Sequence, residues 1–135
     1  MSTKMIHASG KRKSAIARAT LKPGKGKVRI NNNLLESMTP KMVMLRIMEP
    51  IEIAGDIANE VDIDVIVRGG GQMGQAEAAR LVVAKTLLQY SKDKTLEQKY
   101  IAYDRHLLVA DTRRKEASKP NRHGQARAKR QKSYR

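Results

Sequence analysis

Along residues 61–68, VDIDVIVR, apolar and polar side chains alternate. Val61, Ile63, Val65 and Val67 share one face, with Asp62, Asp64 and Arg68 on the other. That period predicts a strand in a sheet covered on one side only. After the glycines that follow, Ala76, Ala79, Val83, Leu87 and Tyr90 recur at spacings of three and four, the apolar stripe of a helix. Upstream, residues 3–9 read as a short strand, and SAIARATLK (14–22) places Ala15, Ala17, Ala19 and Leu21 on one face. Pro23 and Gly24 suit the centre of a type II turn. Val28 and Ile30 then alternate with Lys27, Arg29 and Asn31, so this second strand and KVRIN predict a hairpin with a basic outer face.

Thr39-Pro40 reads as a helix start, with Thr as the cap and Pro at the first helical position. That helix is expected to carry Met42, Leu45 and Met48 inward and to stop near Pro50. Four of the seven Met lie between Met38 and Met48, where they serve as core filler. Thr95 and Gln98 have the spacing of a capping box for a last helix, Thr95 to Asp104, with Leu96 and Tyr100 facing inward.

Beyond Asp111 the periodicity ends. Residues 112–135 contain no aliphatic side chain larger than Ala, too little to offset the entropy of ordering, so this stretch alone is expected to be disordered. The segment GQARAKRQ has the composition to turn helical on a partner. Fully stretched, the tail reaches on the order of 80 Å. The organisation is a small α+β domain over residues 1–111, with helices on one face of a sheet, and an extended tail over 112–135. Its length of 135 residues suits one domain. The core is built without Phe or Trp, and there is no Cys for disulfides or thiolate metal sites. No segment approaches the ~18 apolar residues of a membrane span. The start, MSTKMIHASGKRKS, lacks the apolar run of a signal peptide. A soluble, cytosolic protein is the expectation.

Charge sharpens the picture. The net charge is +15, and it is segregated. Residues 1–35 hold nine Lys or Arg and no acid; residues 36–111 hold nine basic and twelve acidic residues; residues 112–135 hold ten basic residues and one acid. A near-neutral middle between two basic blocks favours a polyanionic partner. Nucleic acid fits best, because neutralised phosphates release counterions. A membrane fits poorly, since neither block carries an apolar face with aromatic anchors.

Gly69, Gly71 and Gly74 satisfy the G-x-G-x-x-G spacing of a dinucleotide loop. That reading also needs a second parallel strand ending in an acidic residue, whereas the next segment, SKDKTLEQK, looks helical. The Walker pattern fails for want of Gly-Lys-Ser/Thr. Phosphate still suits flexible glycines at the start of a helix beside Arg68, and an RNA backbone offers phosphate as readily as a cofactor does. A ligand-free tight turn is the plain alternative. His7, His106 and His123 lie far apart, and nothing assembles a nucleophile, a base and an orienting group. With four Tyr as the only aromatics, base stacking has little support. No recognition helix stands out for reading a DNA groove. Phosphate contact with shape-based specificity suits folded RNA.

Four segments, GKRKSAIARATLKPGKGKVRIN (10–31), VRGGGQMGQAEAAR (67–80), DTRRKEASKPNRHGQARAKRQ (111–131) and the terminal KSYR (132–135), resemble the family of small-subunit ribosomal protein nine. The ending Ser-Tyr-Arg is similar to the archaeal and eukaryotic cytosolic branch. The resemblance implies a two-layer α/β sandwich like the second domain of small-subunit ribosomal protein five. Its four-stranded mixed sheet would have helices on one face and a left-handed βαβ crossover, against the usual right-handed rule. It implies a non-enzymatic component of the small subunit, without cofactor or metal. The partners it implies are ribosomal RNA of the head, neighbouring head proteins and the peptidyl-site tRNA. Carried over by position, Lys11, Arg12, Lys13, Arg18, Gly69, Gly70, Gly71, Arg113, Arg114, Arg122, Arg127 and Arg130 would face ribosomal RNA. Lys132, Ser133, Tyr134 and Arg135 would approach the tRNA anticodon stem-loop. Tyr134, where bacterial members carry Lys, departs from the bacterial pattern.

Overall fold

The computed structural model describes residues 4–37, 40–122 and 126–127. Five strands, β1 (Ile6–Arg12), β2 (Ala15–Pro23), β3 (Val28–Ile30), β4 (Asn33–Leu34) and β5 (Val61–Arg68), form one mixed sheet in the order β1-β2-β5-β3-β4. Three helices accompany it: α1 (Lys41–Ala54), α2 (Gln72–Ser91) and α3 (Lys94–Tyr103). The α+β class stands, with a fifth strand where four were expected. The addition is β4, two residues long, paired with β3 at the sheet edge.

The alternating segment 61–68 is the axis of the sheet. β5 runs antiparallel to β2, from Ile16↔Arg68 to Pro23↔Val61, and parallel to β3, from Val28↔Ile63 to Ile30↔Val65. The anticipated β2–β3 hairpin is therefore wrong: β5 inserts between the two, and the hairpin partner of β2 is β1. Segment 3–9 was framed too early as well, since β1 continues through Gly10 to Arg12. Nor does Gly24 supply the left-handed residue of a type II turn; Gly26 does, at φ +93°. The carboxylate of Asp62 holds this connection by accepting the backbone N–H groups of Lys25 and Lys27, both at 3.0 Å. Those hydrogen bonds, the Lys27 one first, hold its pKa below the ordinary value. Beyond β3, the Asn31 side chain continues the ladder. It accepts from Val67 N–H (2.9 Å) and donates to the Val67 carbonyl (3.3 Å).

One face of the sheet is buried: Ala15, Ala17, Ala19 and Leu21 of β2, and Val61, Ile63, Val65 and Val67 of β5. The small alanines let α2 lie close to the strands. α2 shows more than one stripe, because Ala78, Leu81, Val82 and Ala84 are buried along with Ala76, Ala79, Val83 and Leu87. Sheet on one side and α1 with the turn at Arg105–Leu107 on the other enclose it. Such a helix is buried on more than one face because it is central. Tyr90, assigned to the stripe, is only half-buried.

α1 differs from expectation in extent and in face. It runs through Pro50 to Ala54 and buries Val43, Ile47, Pro50 and Ala54. Met42 is 72% exposed and Leu45 43%, so these two face outward, while Met44 and Met48 are partly buried against the core. A proline inside a helix removes one hydrogen bond. Packing of the IEIA segment, with Ala54 buried and Ile51 and Ile53 against the core, offsets that loss. Tyr100 from α3 closes the arrangement: its hydroxyl is buried and donates to the Pro50 carbonyl at 2.9 Å. Burial pushes this phenol well above its ordinary pKa. α3 is capped by Asp93, which accepts from Thr95 N–H at 2.9 Å, so Thr95 lies inside the helix. The Thr39 cap falls outside the described residues. Among those described, no helix is long and apolar enough to cross a membrane.

The α1 register gives a direct test. Ile47→Ala should destabilise the protein by about 2–5 kcal/mol, while Met42→Ala should change stability by less than ~0.5 kcal/mol. Urea unfolding of both variants reads the difference. Equal losses would mean that the helix presents its methionine face to the core.

Candidate nucleic-acid interface

The sheet places the β1–β2 hairpin tip against the glycine loop. β1 ends at Arg12 and β2 begins at Ala15, and these two residues are paired. Lys13 and Ser14 make the turn, with Lys13 at φ +53°. Gly69 and Gly70 both take left-handed backbone, at φ +76° and +67°. A Cβ on Gly69 would stand 2.7 Å from the Ser14 carbonyl oxygen, and one on Gly70 would stand 2.9 Å from the Ala15 nitrogen. These two glycines are accounted for by conformation and by the closeness of the hairpin. The other two are not. Gly71, at the N-terminal cap of α2, has nothing within 4 Å of a built Cβ, and Gly74 meets only ordinary contacts at 3.6 and 3.7 Å. No side chain caps α2, leaving its first amides and the positive end of its dipole outward. The Gln75 side chain ties the loop down by donating to the Gly69 carbonyl at 3.1 Å.

Exposed cations gather at this end. Lys11, Lys13, Arg18 and Arg68 are all exposed. Among the described residues none of them meets a carboxylate within ion-pairing distance. Register sets three of them on the uncovered sheet face: Lys11↔Ile16↔Arg68 forms one cross-strand row and Ser9↔Arg18↔Ile66 the next. Ile16 and Ile66 are 40% and 55% exposed, so two aliphatic side chains sit in a field of positive charge. This grouping was missed in the sequence. Its one signal was Ile16, an Ile on the polar face of an alternating strand. Towards the opposite end of the sheet acids accompany the cations: Lys22 lies 3.8 Å from Asp64, and Asp62 serves the connection described above.

The carboxyl-terminal segment leaves the body beside the same hairpin. Asp111 binds the Arg12 guanidinium at 3.3 Å and that of Arg113 at 2.7 Å, and accepts the Arg113 backbone N–H at 3.0 Å. Hydrogen bonds from Arg113, helped by the charge of Arg12, hold the Asp111 carboxyl well below the usual carboxylate range. A cleft of about 310 Å³ lies here, with Lys11, Lys13, Gly74, His106, Asp111 and Arg113 in its wall. The expected RNA-facing residues thus divide. Lys11, Lys13, Arg18 and Gly69–Gly71 come together. Arg12 and Arg113 are paired through Asp111, and Arg127 pairs with Glu116 at 3.1 Å. Arg114 and Arg122 touch only backbone carbonyls. Arg130 and residues 132–135 lie outside the described residues.

Behind the cleft is an ion network that sequence reading did not anticipate. Arg80, 1% exposed, lies 2.6 Å from Glu49 and 3.0 Å from Asp104. Arg46 contacts Glu77 at 2.8 Å and Glu49 at 3.3 Å. The close Arg80–Glu49 approach is ionic but off hydrogen-bond angle, so Nη2 and Nε of Arg80 have no hydrogen-bond acceptor. Burial works to raise the Asp104 pKa, but the His106 backbone N–H and the Arg80 guanidinium outweigh it and the net shift is downward. The network joins α1, α2 and the segment after α3. A histidine base with an orienting acid is not formed by His7 or His106: His7 pairs with the Thr20 hydroxyl (3.2 Å) and His106 with the Val109 carbonyl (3.3 Å). The dinucleotide geometry also lacks its second half, because α2 is followed by α3 and, among the described residues, by no strand.

The chain matches the family described as ribosomal protein S9/S16 over residues 10–135. It is similar to the small ribosomal subunit protein uS9 of Methanococcus maripaludis. In strains C5 and C7 the identity is 46% over 133 residues, covering 98% of this chain and 99% of each relative.

Two outcomes follow from the geometry. Gly70→Ala should lower stability, as it strains the backbone and meets Ala15, whereas Gly74→Ala should stabilise the isolated protein by roughly 0.5–1 kcal/mol through helix propensity. Thermal unfolding compares the two. Because the Asp104 pKa is depressed in the folded state, its share of stability is present above the unfolded value near 3.8. That share is lost as pH falls through the folded value. Arg80→Met should flatten the acid limb of a stability–pH curve; an unchanged limb would remove Asp104 from the account.

Proposed function

The chain belongs to the ribosomal protein S9/S16 family, and from that premise we propose that it is a two-part RNA-binding protein that catalyses no reaction. It is a structural component of the small ribosomal subunit and works in the cytoplasm within that particle. The body, residues 1–111, binds ribosomal RNA of the head through Lys11, Lys13, Arg18 and the backbone of Gly69–Gly71. The tail, residues 112–135, threads onward with Arg113, Arg114, Arg122, Arg127 and Arg130 on RNA. Lys132, Ser133, Tyr134 and Arg135 approach the anticodon stem-loop of the peptidyl-site tRNA. A terminal guanidinium suits a tRNA phosphate because it stays charged and binds bidentately.

The observation that supports the reading is the cluster of exposed Lys11, Lys13, Arg18 and Arg68, none ion-paired among the described residues, beside the point where the basic tail departs. Open space at Gly71 supports close approach of a phosphate backbone to the start of α2. Ile16 and Ile66 suit the apolar edge of ribose. A nucleotide enzyme built on the same glycines would need a second nucleotide-binding strand after α2. A non-specific nucleic-acid binder would use the same charge without regard to RNA shape.

The test is competition and deletion together. Full-length protein on head-domain ribosomal RNA should resist excess random duplex DNA at physiological salt. Displacement in proportion to phosphate concentration would point to charge alone. Gly71→Ala should weaken the RNA complex without loss of stability. Deleting residues 112–135 removes ten basic residues, and each lost phosphate contact lowers the salt slope of binding by about 0.7–0.9. Subunits carrying the deletion should assemble yet bind peptidyl-site tRNA more weakly. Unchanged tRNA affinity would refute the tail assignment.

A further inference from the structure

Asp111 is out of place by charge. It lies between the hairpin cations and the run TRRK, in a region whose phosphate partners a carboxylate repels. Yet its side chain is only 12% exposed and every contact it makes is to a cation or a backbone donor of that region. Oδ2 of the carboxylate meets both the body, through Arg12 at the end of β1, and the tail, through the Arg113 guanidinium, while Oδ1 accepts the Arg113 backbone N–H. The Asp111 carbonyl accepts from Arg114 at 3.5 Å. Two arginines on one carboxylate leave a net positive junction, so the bridge does not discharge the surface. Beyond it, residues 112–121 are exposed throughout. Among the described residues, the ion pairs that join tail and body therefore run through this one side chain.

We propose that Asp111 is a positioning residue: by joining Arg12 of the body to Arg113 of the tail it sets the direction in which the tail leaves the hairpin and glycine-loop end. The bridge narrows the volume the tail explores, so that tail and body meet one RNA surface with less ordering cost on binding. The inference rests on the tail reading given above, but concerns the free protein as well. The carboxylate stays ionised through the physiological range, so the bridge responds to salt and not to pH.

The chain has no cysteine, so spin labels at Lys99→Cys on α3 and Lys119→Cys in the tail report a single distance distribution. Asp111→Asn in the full-length protein should broaden that distribution. Glu116→Gln removes the same charge but touches only the pair within the tail, and should leave the label distance unchanged. In assembled subunits the two variants should also part. Removing a negative charge by itself favours binding to tRNA, and Glu116→Gln should show that or nothing. Asp111→Asn should instead weaken peptidyl-site tRNA binding by roughly threefold. An unaltered distance distribution in Asp111→Asn would overturn the proposal. If the distribution broadens while deletion of 112–135 leaves tRNA affinity untouched, the bridge stands and the tail's destination is what fails.

Discussion

The structure depends on burying α2 on every side. A helix that buries Ala76, Ala78, Ala79, Leu81, Val82, Val83 and Leu87, with Leu81 and Val82 close against Gly10 of β1, requires a sheet beneath it and helices over it. The alanine face of β2 sets how closely it lies. Where α2 begins is equally constrained: the chain must turn from β5 into the helix directly under the β1–β2 hairpin. Gly69 and Gly70 allow that turn, since any Cβ there would collide with Ser14 or Ala15. Hairpin tip, open helix end and glycine loop are neighbours because the core admits no other arrangement of this helix.

That constraint decides how charge becomes a surface. Six of the twelve acidic residues of the body are engaged across elements: Asp62 on backbone amides, Asp64 with Lys22, Glu49, Glu77 and Asp104 around Arg80 and Arg46, Asp111 with Arg12 and Arg113. They hold elements together and leave Lys11, Lys13, Arg18 and Arg68 unopposed. Net charge alone describes solubility and non-specific attraction. It is the pairing pattern that turns +15 into a directional field, concentrated where backbone can approach a phosphate closely.

Legibility in the sequence followed the strength of local signals. β5 is legible because its buried face, Val61, Ile63, Val65 and Val67, is unbroken, with Ile66 the one apolar residue on the other face. The buried pair Leu96 and Tyr100 also fixed α3, although its cap sits at Asp93, since Asp and Thr two residues apart both suit that position. The β2–β3 hairpin misled because the turn chemistry of Pro23 and Gly24 carries no information about a third strand, 33 residues downstream of Val28 at its start, inserting between them. α1 misled because Met and Leu spaced at three are as compatible with an outer face as with an inner one; the decision belongs to tertiary contacts at Val43, Ile47 and Pro50. Arg80 had no local signal at all. A buried guanidinium is stable only through acids from α1 and from the end of α3, and no local window of sequence shows those together. The hairpin and loop residues Lys11, Lys13, Arg18 and Gly69–Gly71 were legible as candidates, while Ile16, Ile66 and Arg68 joined them only through strand register.

The glycine spacing shows why a motif needs its context. G-x-G-x-x-G in a dinucleotide enzyme combines a tight turn, close approach to a pyrophosphate and close packing of helix on strand. Here Gly69 and Gly70 serve the turn and the packing against the hairpin, and both would be needed with no ligand at all. Gly71 and Gly74 answer to neither demand. Glycine in the first turn of a helix lowers its stability relative to alanine, so within the chain alone Gly74 is a net cost. At Gly71, where a built Cβ meets nothing within 4 Å, the start of α2 is open to a close approach from outside. Of the three spaced glycines, Gly69 serves the fold together with its neighbour Gly70, and Gly71 and Gly74 are not required by it.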